Sequence, residues 1–188
     1  MKQATILAVL ITVSHLGFTR SEPIDPITSI PEKTYTDSVS RIPTVDELLL
    51  EIMSVTGLQT DFELKEAKVL NIEAFISHKK RYILYNPEFM DWINRATKDK
   101  WASIALIAHE IGHHLNGHTI RKGGSKPDVE LEADEFAGFV LYKLGASLKQ
   151  AQEVMIYIAK TEASSTHPAR ASRMKAIQKG WDRADLAK

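Results

Sequence analysis

Ile104-Ala105-Leu106-Ile107-Ala108-His109-Glu110-Ile111-Gly112-His113 is the stretch on which the reading of this chain turns. The apolar run before His109 predicts a helix that is deeply buried just before its polar face. On a helix, residues i and i+4 lie one turn apart and about 40° around the axis. The His109 and His113 imidazoles can therefore reach one metal ion. Glu110 flanks that face, close enough to take a proton from water at the metal. Buried His and Glu without partners are costly, and a metal satisfies all three. Gly112 costs a helix interior about 1 kcal/mol relative to Ala, which predicts close packing against another backbone.

A zinc site of this kind needs a third protein ligand and one open position. The expected donor is Glu130, in Glu130-Leu131-Glu132-Ala133-Asp134-Glu135-Phe136-Ala137. Asp134 lies one turn from Glu130 and could accept the ring N–H of a metal-bound His, fixing its tautomer. Glu132 is the fallback ligand, and Glu135 points away from the Glu130–Asp134 stripe. His118 is the nearest further histidine, but it would sit about 140° from His113 if the helix ran on, so it is not the expected ligand.

The elements around this pair read as helix, strands, then helices, an α+β pattern. Thr44-Val45-Asp46-Glu47 is a capping box for a helix that Gly57 ends. Residues 62–65, 71–76 and 81–85 have strand character, and their short connections predict an antiparallel meander. Asn86-Pro87 supplies an N-cap and first-turn proline for a helix near 87–97. Helices follow near 100–117 and 128–144, the second after a Gly-rich loop at 121–127; another starts at Ser147 and a last one at Pro168. Trp92, Trp101 and Trp181 are expected in the core, and His78 and His114 in solvent.

Composition narrows the chemistry. Of 188 residues, Lys+Arg and Asp+Glu are 24 each. With no basic excess, a nucleic-acid partner is not expected. There is no cysteine, which excludes disulfides, thiol catalysis and thiolate-held metals. Any metal must be held by His, Asp and Glu. Residues 1–21 have the short apolar run of an export signal, with an uncleaved anchor as the alternative, and no other segment is expected to cross a membrane. Residues 22–43 hold four of the seven prolines and read as a tether or propeptide. The folded domain is then 44–188.

His-Glu-x-x-His followed by Glu-x-x-x-Asp resembles the ligand order of the gluzincin metallopeptidases. Glu-x-x-Ala-Asp, after an HExxH whose tenth residue is also His (His118), is similar to one branch of them. That branch holds the CAAX-prenyl endopeptidases, the heat-shock membrane protease HtpX and the small soluble minigluzincins. Ser165-Thr166-His167-Pro168 followed by Arg173 resembles the branch's Ser-Thr-His-Pro…Arg segment beside the active site. The likeness covers about residues 80–178. It implies a zincin-like single domain with a short antiparallel sheet, one zinc ion on His109, His113 and Glu130, Glu110 as general base, and Asp134 behind the ligands.

The other residues carry two readings each. His167 either donates to a developing oxyanion or caps the last helix. Arg173 either orients a carboxylate or substrate or lies on the surface. Tyr142 and Tyr157 are oxyanion donors or, more ordinarily, core tyrosines with satisfied hydroxyls. The expected activity is zinc-dependent hydrolysis of peptide bonds in exported or extracytoplasmic proteins, with a protein or peptide as substrate. The alternatives are a secreted zinc-binding interaction module without turnover, and a regulatory metalloprotease like the phage-repressor-cleaving regulators. The export signal and His167 disfavour the last.

Overall fold

A computed structural model describes residues 43–120 and 126–187. The expected export signal (1–21), nearly all of the expected tether (22–43) and most of the Gly-rich loop lie outside the described residues. The fold is α+β: α1 (Val45–Thr56), β1 (Glu63–Glu66), β2 (Ile72–Ser77), β3 (Lys80–Tyr85), α2 (Pro87–Thr97), α3 (Trp101–Leu115), a 3-10 turn (His118–Ile120), α4 (Pro127–Lys143), α5 (Leu148–Ile158) and α6 (Arg170–Leu186).

Side-chain caps fix the starts of α1, α2 and α5. The Thr44 hydroxyl accepts from the Glu47 N–H while the Glu47 carboxylate accepts from the Thr44 N–H, and Ser147 and Gln150 repeat the exchange at α5. Asn86 Oδ1 accepts from the Glu88 and Phe89 N–H groups at the start of α2.

The sheet departs from the expected meander. Its order is β1-β3-β2; β2 and β3 form an antiparallel hairpin, but β1 runs parallel to β3. The hairpin closes on His78 and Lys79, both at positive φ, as a two-residue primed turn requires. Between β1 and β2 the chain crosses the end of β3 and is pinned there. Ala67 N–H donates to the Tyr85 carbonyl (2.9 Å), Asn86 N–H to the Asn71 carbonyl (2.7 Å) and Asn86 Nδ2 to the Val69 carbonyl (3.0 Å). Alternation reveals that strands exist, but not on which side of a neighbour each one adds.

α3 is the centre of the molecule, buried from Ala102 to His114. Ile104, Ile107 and Ile111 anchor a core shared with α1, the sheet, α4 and α5. Gly112 packs as expected, with its Cβ position 3.1 Å from the Ala133 Cα on α4. α4 and α6 approach most closely. A Cβ on Gly138 would overlap the Ile177 carbonyl, and one on Gly180 the Glu135 carbonyl. Neither clash can be relieved by turning a side chain. Gly180→Ala is therefore expected to cost about 3 kcal/mol; urea unfolding measures this, and a loss below about 0.5 kcal/mol would show that the two helices part easily.

Two expectations about single residues are corrected. His114 is buried, not in solvent: its ring stacks on Phe62, and Nε2 donates to the Tyr82 carbonyl at 2.9 Å. Trp92 is 39% exposed at the edge of a cluster with Phe89 and Tyr157, whereas Trp101 and Trp181 pack against the core. His78 is exposed as expected. No helix of the described residues is long and apolar enough to cross a membrane.

Candidate metal centre

Three elements meet at one buried point. α3 brings His109, Glu110 and His113, α4 brings Glu130 and Asp134, and α6 brings Arg173; all six are at most 5% exposed. The i, i+4 spacing on α3 leaves the two Nε2 atoms 3.1 Å apart, with the rings nearly perpendicular. Glu130 faces them from the first turn of α4, its Oε2 3.4 Å from His109 Nε2 and its Oε1 3.6 Å from His113 Nε2. One ligand atom from each of these residues lies within 4.8 Å of the others.

Each imidazole is held from behind. His109 Nδ1 lies 2.9 Å from Asp134 Oδ1. Arg173 clamps that carboxylate with two parallel bonds of 2.7 Å, Nε to Oδ2 and Nη2 to Oδ1. Arg173 is thus buried against a carboxylate and does not lie on the surface. His113 Nδ1 lies 2.9 Å from His118 Nδ1. With both Nδ1 atoms engaged, both Nε2 atoms are left to serve the same point.

The electrostatics ask for a cation. Glu110, Glu130 and Asp134 set three buried carboxylates against one guanidinium, a surplus of two negative charges if the imidazoles are neutral. The chain alone answers with protons. Burial, reinforced by the Glu130 charge and opposed by His109, pushes the Glu110 carboxyl up to about 8. Burial opposes a charge on His109, but Asp134 and Glu130 override it and raise the imidazole to about 10. His113 goes the other way, held down at about 3 by burial and by the charge on His109. Burial would raise Glu130, yet His109, His113 and Arg173 hold it well below the usual carboxylate range. A divalent cation neutralises the same surplus. Two imidazoles and a carboxylate, with no thiolate, are a donor set that suits zinc and leaves a fourth position open. The residues present fit the metal.

Glu110 projects beside the cluster, and its Oε2 accepts the Ala74 N–H of β2 at 2.6 Å. His167, between α5 and α6, is half-buried. Its Nδ1 lies 2.8 Å from the Thr166 hydroxyl, and its Nε2 is buried with no hydrogen-bond partner among the described residues. Burial lowers its pKa from the ordinary histidine value.

Other candidates fall elsewhere. Glu132 is not at the cluster; it bonds to His118. Glu135 points away and pairs with Lys179 and Arg183. The Tyr157 hydroxyl donates to the Ala96 carbonyl and that of Tyr142 to Asp185, so both are satisfied away from the centre. His118 lies beyond the end of α3 and stands behind His113, a placement the helical wheel does not give. α3 stops at Leu115, and Gly117, at φ +69°, turns the chain back. The glycine after Asn116 was the signal.

The class so defined is a zincin-like α+β domain with a candidate two-histidine, one-carboxylate metal centre beside a small sheet. The model of Peptidase family M48, a metallopeptidase family, matches residues 124–180. That segment, under a third of the chain, carries Glu130, Asp134, His167 and Arg173 and begins after the HExxH helix. No curated protein and no solved structure matches the chain.

Proposed function

We propose that this chain is a zinc metalloendopeptidase that hydrolyses peptide bonds in exported or extracytoplasmic proteins, a small gluzincin similar to the CAAX-prenyl endopeptidase and HtpX branch. The observation that carries the reading is the convergence of His109, His113 and Glu130 on one buried point with the Glu110 carboxylate alongside. The partial match to Peptidase family M48 supports it.

In this reading His109, His113 and Glu130 hold one zinc ion, which when bound supplies a Lewis acid for the scissile carbonyl and for water. Glu110 is the general base: a carboxylate oxygen takes the proton of the attacking water and later returns it to the leaving amine. Arg173 and Asp134 hold His109 in place. His167, its Nδ1 accepting from Thr166, presents Nε2–H to the oxygen on which charge develops. β2 is an edge strand, and its Ala74 N–H lies one side chain from the cluster. An extended peptide pairing with that edge brings its carbonyl to Glu110. The intact Glu110 favours this reading over a zinc-binding interaction module, which needs only the three ligands.

The test is cleavage of an unstructured protein by the full chain with zinc. Cleavage should stop on adding a chelator and return with excess zinc. Zinc uptake without cleavage would overturn the peptidase reading in favour of the interaction module.

A further inference from the structure

Both ring nitrogens of His113 are engaged, and the side chains behind the second one take no part in the chemistry above. His113 Nδ1 lies 2.9 Å from His118 Nδ1, and His118 Nε2 lies 2.8 Å from Glu132 Oε2. His118 is 3% exposed, whereas the Glu132 side chain is 52% exposed. The turn at Gly117 folds His118 back, so that its ring meets that of His113 at 69° with centroids 5.1 Å apart.

The hydrogens along this chain have one arrangement compatible with a metal ligand. A coordinating nitrogen offers a lone pair, so His113 Nε2 must be bare and its Nδ1 must carry the hydrogen. His118 Nδ1 then accepts, which leaves the His118 hydrogen on Nε2. That N–H faces a carboxylate, which can only accept. The reverse order turns an N–H of His113 toward the cation and sets the bare His118 Nε2 against the Glu132 oxygen. Glu132 therefore decides the order from the far end.

We propose that, given zinc on His109, His113 and Glu130, His118 is a positioning residue anchored by Glu132: it holds His113 in the Nδ1–H tautomer and aims its Nε2 at the ion. The centre is then supported on two sides by different means. Asp134 with Arg173 backs His109 through buried charge, whereas His118 backs His113 as a hydrogen-bonded relay to a half-exposed carboxylate. Because Glu132 is half exposed, it can be changed without disturbing the core.

The experiment uses the full chain, with zinc affinity from competition against a chromophoric chelator and ring tautomers from 15N–1H correlation spectra. The zinc-loaded wild type should show His113 as Nδ1–H and His118 as Nε2–H. Glu132→Gln keeps an acceptor oxygen and should retain wild-type affinity. Glu132→Lys faces the His118 N–H with another donor and should weaken zinc about 10–100-fold, as should His118→Phe. An Nδ1–H tautomer at His118 in the loaded chain would overturn the proposal. So would wild-type affinity in both Glu132→Lys and His118→Phe. A wild-type chain that takes up no zinc removes the metal centre itself; zinc uptake that the variants leave unchanged removes only the positioning role.

Discussion

The Glu110→Gln variant should bind zinc as the wild type does and lose about 10²–10⁴ in kcat. The amide is nearly isosteric, and its oxygen can still accept the Ala74 N–H, so the contact between α3 and β2 survives. What goes is the ability to take a proton. The change also removes a buried carboxyl that burial pushes up to about 8, so folding stability at neutral pH should not fall. KM should move little, because Glu110 acts on the water and the leaving amine while binding of the peptide lies elsewhere. Steady-state cleavage of a fluorogenic peptide, once one is found, measures the split. A fall in kcat of less than about tenfold would remove Glu110 as the base.

The second large effect is expected at Asp134. Asp134→Ala strips Arg173 of both its 2.7 Å bonds while the guanidinium stays 3% exposed, with Glu130 Oε2 4.0 Å away. Losing its hydrogen-bonded partner and keeping only the long Glu130 contact, this buried charge costs about 3–5 kcal/mol. The same change frees His109 Nδ1 and should weaken zinc about 10–100-fold. The two losses separate in the double variant Asp134→Ala/Arg173→Leu, which leaves no stranded charge. Most of the stability should return, and the zinc affinity should not. Thermal unfolding and chelator competition on the three proteins decide it. Affinity that recovered together with stability would show that Asp134 acts on the fold and does nothing specific for His109.

Much of the site was legible because its parts are spaced by helical turns. His109 and His113 share a face for the same reason that Glu130 and Asp134 do, and a helix keeps that geometry wherever it packs. Caps are equally local: Thr44 with Glu47, Ser147 with Gln150 and Asn86 with the start of α2 each close within three residues. The buried position of Arg173 was one of two readings, and nothing near it in the chain chooses between them. Its partner Asp134 lies 39 residues away.

His118 shows where helical reasoning runs out. A helical wheel places His118 only if α3 runs on; α3 ends at Leu115, and His118 meets His113 from behind. The sheet shows the same limit. Strand character at 62–65 is correct, but joining β3 in parallel depends on a crossing held by bonds from Asn86 to residues 69 and 71.

The sequence by itself determined the helices, the capped starts of α1, α2 and α5 and the pairing of candidate donors along each helix, because these follow from contacts within a turn or two. Only the tertiary structure decided which helix faces which, that Arg173 clamps Asp134, that Glu110 meets the edge of β2 at Ala74, and that His118 and Glu132 stand behind His113. Those pairings join residues up to 39 positions apart. They rest on close packing, such as Gly138 and Gly180 between α4 and α6, which no local pattern encodes.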